Sequence, residues 1–237
     1  MAARGVRIAG AGASAAKQAP AAMRRRPRQS RAQASSQALQ DAFVRVLIER
    51  GYARTTIREV VAVAGVGVGT FYEYFGNMHA LAALCIHQRL KALESRGRAV
   101  IAKAAGASLD VRVNALLDQQ VGDVLADAPA WAALFQLERQ ISSPQAFRQQ
   151  YLRHVGLWRE TLSCPGLAEP PPLAARMVHA MVYGWVSQCL LTLGPGVDAA
   201  SLRQELGRAV LAYVAQLGPR PGPAGVSPRP AARRDGA

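Results

Sequence analysis

Residues 55–77 read TTIREVVAVAGVGVGTFYEYFGN, and they parse into two short helices around a tight turn. Thr56-Ile57-Arg58-Glu59 has the form of a capping box: a hydroxyl serves one orphan amide at a helix start, and the acid three residues on returns to another. Val60, Val61 and Ala64 follow at helical spacing. Gly65 then supplies the tolerance of positive φ that a sharp stop needs. A second helix is predicted over about Val68–Phe75. Helices of about eight residues are marginal alone, so both must pack on neighbours. Two short helices joined by a glycine turn make a helix-turn-helix, whose second helix is the one offered to the DNA major groove.

Upstream, Ser30-Arg31-Ala32-Gln33 also has capping-box form, and Leu39, Ala42, Phe43, Val46 and Leu47 recur at helical spacing until Gly51. Downstream, Asn77 can cap a long fourth helix carrying Leu81, Leu84, Cys85 and Leu90, with Gly97 as a soft point. Further helices are predicted from Ser108 to about Leu125, and from Pro129 through Trp131, Leu134, Phe135 and Leu137. Another starts at Ser143-Pro144 and carries Phe147, Tyr151, Val155 and Trp158, proline being tolerated in a first turn. After Pro170-Pro171-Pro172 one helix reaches Leu193, and the last spans about Ala199–Leu217. Strand-type alternation is scarce. The expected fold is all-α with about nine helices: a disordered basic arm over 1–29, a three-helix helix-turn-helix domain over 30–76, a larger helical domain over 77–217, and a disordered tail over 218–237.

Half of the 237 residues are apolar, and the formal charge is +14. That charge is concentrated at the ends. Residues 1–35 hold Arg4, Arg7, Lys17, Arg24, Arg25, Arg26, Arg28 and Arg31 with no acid, and residues 218–237 hold four arginines against Asp235. Basic ends on a nearly neutral body favour a polyanionic partner. Arg24, Arg25 and Arg26, just before the first helix, are candidates for tracking phosphates or entering the minor groove. Cys85, Cys164 and Cys189 are odd in number and far apart, which suits a reducing, cytoplasmic setting better than a disulfide scaffold. Met177–Leu193 is uncharged but contains His179, Ser187 and Gln188, and reads as an interface helix rather than a membrane span. No glycine loop follows a strand, and no nucleophile motif or metal-spaced His/Cys/carboxylate cluster occurs. An enzyme, a cofactor and a metal site are therefore not expected.

The third helix carries a surface suited to DNA. Phe71 and Phe75, four residues apart, belong to the core, whereas Gly69, Thr70, Tyr72, Glu73 and Tyr74 are small or hydrogen-bonding. The Tyr72 and Tyr74 hydroxyls suit phosphate oxygens, with half-buried packing as the alternative. Thr56 stands at a helix N-terminus, where anions are favoured.

Glu49-Arg50-Gly51-Tyr52, Thr55-Thr56-Ile57-Arg58-Glu59-Val60, Ala64-Gly65-Val66, Gly69-Thr70-Phe71-Tyr72, Tyr74-Phe75, Asn77 and Ala80-Leu81, in this spacing, resemble the N-terminal domain of the tetracycline-repressor (TetR) family over about residues 31–95. The resemblance implies a bacterial homodimer of nine or ten helices per chain that binds a palindromic double-stranded DNA operator and is released by a small-molecule effector. It implies phosphate contacts from Thr56, Tyr72 and Tyr74, and base contacts from Val68, Gly69, Thr70 and Glu73. It also assigns ligand binding and dimerisation to the larger domain, with the last two helices in a four-helix interface. Three positions depart from the pattern. Gly67 stands where Ser or Thr often caps the recognition helix, Val68 replaces a frequent polar or basic residue, and Met78 stands where a phosphate-binding Lys is common. Over 36–76, Arg45, Arg50, Arg54 and Arg58 are balanced by Asp41, Glu49, Glu59 and Glu73. Non-specific attraction therefore has to come from the arm.

Beyond about residue 100 no motif identifies a ligand. Trp131, Phe135, Phe147, Tyr151, Trp158, Met181 and Trp185 are the candidate wall of an effector pocket, which implies a largely apolar effector. Ordinary core packing is the rival reading for each. His154 and His179 read as core or interface histidines, with a polar pocket role second. The competing function is a non-specific nucleoid or architectural DNA-binding protein, which the basic ends would suit.

Overall fold

A computed structural model describes residues 26–163 and 171–217 of the chain. Nine α-helices run through the described residues: α1 Arg26–Arg50, α2 Ile57–Ala64, α3 Val68–Tyr74, α4 Met78–Lys103, α5 Leu109–Leu125, α6 Ala128–Ile141, α7 Pro144–Leu162, α8 Ala174–Leu193 and α9 Ala199–Ala215. Short 3-10 turns at Tyr52–Arg54 and Gly194–Gly196 join α1 to α2 and α8 to α9, and no strand occurs among the described residues. The expected all-α fold is present. Arg24 and Arg25 of the basic arm, Cys164, Pro170 and the tail 218–237 lie outside the described residues.

Four of the nine described helices, α2, α4, α7 and α9, start on a side-chain cap. Asn77 accepts the Ala80 N–H at 2.9 Å, and Ser143 accepts the Ala146 N–H at 3.2 Å beside Pro144 in the first turn. Two local expectations are overturned. Helix α1 begins at Arg26, so Ser30 stands inside it rather than at its start. Pro27 falls in the first turn, where a missing N–H is no loss, and the residues after it contain no helix breaker. Gly97 is not a soft point either, since α4 runs unbroken through it to Lys103. A Cβ there would stand 3.2 Å from side-chain atoms of Leu116, Gln119 and Leu157. The glycine lets α4 approach α5 and α7 closely.

One continuous apolar core joins the short N-terminal helices to the longer ones. Leu39 and Phe43 of α1, Val60 of α2, Phe71 of α3 and Leu81 of α4 are fully buried at one end. Leu116, Leu157, Trp158 and Leu190 are buried at the other. Each such side chain contributes about 1.5–3 kcal/mol by leaving water. Helix α6 lies against α1 and α4 as well as α8, so it touches both ends of the molecule. No described helix is long and apolar enough to cross a membrane. The described residues hold no group of three or more His, Cys, Asp or Glu placed to bind a metal.

Candidate nucleic-acid interface and internal cavity

The capping box predicted at Thr56 is formed. Thr56 Oγ1 accepts the Glu59 N–H at 3.3 Å, while the Glu59 carboxylate accepts the Thr56 N–H at 3.1 Å and the Thr56 hydroxyl at 3.0 Å. Arg50 pairs with the other Glu59 oxygen. Donation from the Thr56 hydroxyl, then from its backbone N–H, holds the Glu59 carboxyl below the usual carboxylate range. At the far end of α2, Gly65 adopts φ 69° and ψ 29°. Its N–H returns to the Ala62 carbonyl and the Val66 N–H to the Val61 carbonyl, which closes the helix in a Schellman turn. Gly67 starts α3 without a side-chain cap.

Phe71 and Phe75 turn inward with ring centroids 5.7 Å apart. The outer face of α3 exposes Val68, Gly69, Tyr72 and Glu73, and leaves Thr70 and Tyr74 half-buried. The two tyrosines divide accordingly. Tyr72 is 57% exposed with its ring 5.4 Å from Phe71, whereas Tyr74 is half-buried with its ring 6.4 Å from Phe75. Val68 is exposed, as is Val63 of α2, and an apolar side chain at such a position suits a thymine methyl. Thr56 is exposed, but its hydroxyl and amide are both given to Glu59. A phosphate at that helix start must compete with a carboxylate. Arg26 lies in the first turn of α1.

A cavity of about 300 Å³ lies among α4–α8. Leu90 and Leu93 of α4, Gln120 and Val124 of α5, and Trp131, Phe135 and Glu138 of α6 form one part of its wall. Phe147, Gln150, Tyr151 and His154 of α7 and His179, Tyr183 and Val186 of α8 form the rest. Four of the seven aromatic and apolar candidates, Trp131, Phe135, Phe147 and Tyr151, are therefore in the wall. Trp158, Met181 and Trp185 are not. Trp158 is one helical turn beyond His154 and wholly enclosed in core. Met181 and Trp185 lie on another face of α8 from His179 and Tyr183, and Trp185 is 48% exposed. Because α8 is apolar on every side, its periodicity does not distinguish the inward face from the outward one. His154 and His179, which read from sequence as core or interface residues, line the cavity. Gln120, Glu138, Gln150 and Tyr183 complete its polar lining, and the sequence reading does not single them out. Glu138 is legible as a carboxylate on the same helical face as Trp131 and Phe135.

The rings form a chain around this space. Trp131 and Phe135 are 5.5 Å apart, Phe135 and Tyr183 5.4 Å, Tyr183 and His179 5.7 Å, and His179 stacks on His154 at 5.9 Å. Burial lowers the pKa of both histidines, that of His179 to about 4, so both imidazoles are neutral near neutral pH. Burial pushes the Glu138 carboxyl up, although Tyr183 donates to it at 3.1 Å. Arg89 stacks on Trp131 and Arg139 on Tyr183, but neither they nor any Lys lines the cavity. Cys85 stands apart from this space, its thiol pushed up to about 12 by burial and hence unreactive.

Helix α6 ties this wall to the helix that follows α3. At its start, both terminal nitrogens of Arg89 on α4 donate to Asp127 at 2.8 Å. At its end, His79 Nε2, in the first turn of α4, donates to the Ile141 carbonyl at 3.2 Å.

Comparison with known proteins agrees with this arrangement. The model of bacterial regulatory proteins of the tetR family matches residues 39–85. No curated protein matches the chain. Among solved structures, the fatty acid degradation regulator FadR from Bacillus halodurans is similar, with TM-score 0.63 and 19% identity over 75% of this chain and 94% of that one. FadR from Bacillus subtilis in complex with stearoyl-CoA gives 0.60 and 18% over 75% and 98%. A TetR transcription regulator from Haloarcula marismortui gives 0.62 and 16% over 79% and 100%. At these identities the likeness is one of fold.

Proposed function

We propose that the chain is a TetR-family transcriptional regulator, acting as a dimeric repressor whose grip on a palindromic operator is set by a small, largely apolar effector in the cavity. The observation that carries the reading is α3 itself: a helix fixed by buried Phe71 and Phe75 that turns Val68, Gly69, Tyr72 and Glu73 outward. In this proposal residues 30–76 form the DNA-binding unit. Val68, Gly69, Thr70 and Glu73 meet base edges, and Tyr72 and Tyr74 hold phosphates. Thr56 joins them only if phosphate displaces Glu59. Residues 77–217 bind the effector and dimerise, with the exposed Met177 and Trp185 of α8 meeting a second copy beside α9. The protein is a cytoplasmic switch rather than an enzyme.

An effector acts through α6. Its wall residues Trp131, Phe135 and Glu138 touch the bound molecule, and its two ends hold α4. Displacing α4 changes the separation of the two recognition helices in the dimer, which must be near one DNA turn, about 34–36 Å. Binding therefore selects between two spacings, and only an effector that prefers one of them alters operator affinity. The test starts from an operator selected from random duplexes. In the double variant Thr70→Ala, Tyr72→Ala, each truncated side chain should cost about 1–3 kcal/mol of operator affinity, with the dimer still folded. Full affinity of the double variant at matched salt would refute the assignment.

A further inference from the structure

Two side-chain nitrogens in the cavity wall, one on α5 and one on α7, are buried without a hydrogen-bond partner. His154 and Gln120 are each 6% exposed. His154 Nδ1 stands 3.0 Å from the Gln150 carbonyl and 3.1 Å from the Gln150 side-chain amide nitrogen, so it donates to the first in one tautomer and accepts from the second in the other. His154 Nε2, an acceptor in the first form and a donor in the second, is buried without a partner. Gln120 Nε2, an N–H donor, is buried without an acceptor. Leaving such groups unanswered costs about 1–3 kcal/mol each, and both line the same space on packed helices α5 and α7.

We propose that the cavity takes an uncharged, largely apolar molecule bearing one hydroxyl group, which accepts from Gln120 and hydrogen-bonds His154 Nε2 in either tautomer. A hydroxyl both donates and accepts, so it answers the Gln120 donor and either form of His154. The ring chain from Trp131 to His179 offers π faces to the rest of the molecule, so an aromatic alcohol or phenol fits best. An anion fits poorly: no Lys or Arg lines the wall, and Glu138 does. A cation would meet only a carboxyl already engaged by Tyr183 and would face the Gln120 donor. A phosphate-bearing thioester, such as the stearoyl-CoA bound by the similar Bacillus subtilis regulator, finds no phosphate-binding group among these residues. The proposal rests on the cavity being the effector site.

Four probes of one shape test it by calorimetry on the full chain at neutral pH: naphthalene, 1-naphthol, 1-naphthoate and 1-naphthylmethylammonium. The naphthol should bind about tenfold or more tighter than the hydrocarbon, a difference of about 1.4 kcal/mol, and tighter than either ion. Gln120→Leu and His154→Leu should each shrink that ratio while leaving naphthalene binding unchanged or improved. The proposal is overturned if naphthalene or either ion binds as tightly as naphthol, if none of the four binds, or if both variants keep the ratio. The wild-type comparison stands even where a variant fails to fold. Affinity for the selected operator, measured with each probe bound, separates the two readings. Equal probe affinities with operator release would sink the hydroxyl class alone. A hydroxyl preference without any change at the operator would sink the effector reading alone.

Discussion

His179 is a base held where water cannot stabilise its charged form. Its ring stacks on His154, and burial carries its pKa down to about 4 from an ordinary value near 6.5. Between those values the unfolded chain binds the extra proton and the folded chain does not. The folded state is thus fully favoured above about 6.5 and loses that advantage as pH falls toward 4. One such group contributes at most about 1.4 kcal/mol per pH unit. Glu138, raised by the same burial, acts in the opposite sense. Urea midpoints followed from about pH 7 to 5 should fall for the wild type and fall less steeply for His179→Phe. Identical slopes would mean the ring is solvated when folded. At this scale the sequence is partly legible. The spacing Phe147, Tyr151, His154 marks one face of α7, but nothing in the chain distinguishes a wall with empty space in front of it from a packed core. Trp158, on the same face one turn on, falls on the packed side of that distinction.

Helix boundaries are more legible than helix faces, because caps and glycine stops act locally while faces are set by partners far along the chain. Thr56, Gly65, Asn77 and Ser143 mark their helix ends. The Ser30 box does not, since a good cap sequence is overridden when the residues before it continue the helix. The bond that ties the end of α6 to α4 is not readable at all: His79 and Ile141 are 62 residues apart, and only the fold brings them within 3.2 Å. His79→Leu removes that bond from an exposed position. It should leave cavity binding unchanged and reduce the effector's influence on operator affinity by about 0.5–1.5 kcal/mol, the net worth of one hydrogen bond. Operator titrations with and without a bound probe measure this coupling, and an unaltered value would remove α6 from the path.

For the whole molecule the question is where DNA affinity comes from. Residues 36–76 of the helix-turn-helix region carry no net charge, so they exert little long-range attraction on DNA phosphates. The basic arm is the obvious source of attraction. Deleting residues 1–25, which keeps α1 whole from Arg26, should weaken binding to every sequence alike. The slope of log affinity against log salt should flatten by about 0.9 for each phosphate that the shortened chain no longer neutralises. An unchanged slope would leave the arm without a part in binding. The same basic ends are also what a packaging protein would carry, and the two accounts separate on one measurement: protection mapping of the full chain on the intergenic DNA beside its own gene. A repressor that presents two copies of α3 one turn apart predicts a single protected palindrome, with half-sites about 10 base pairs apart or a multiple of that. Even coverage with no defined site would contradict it.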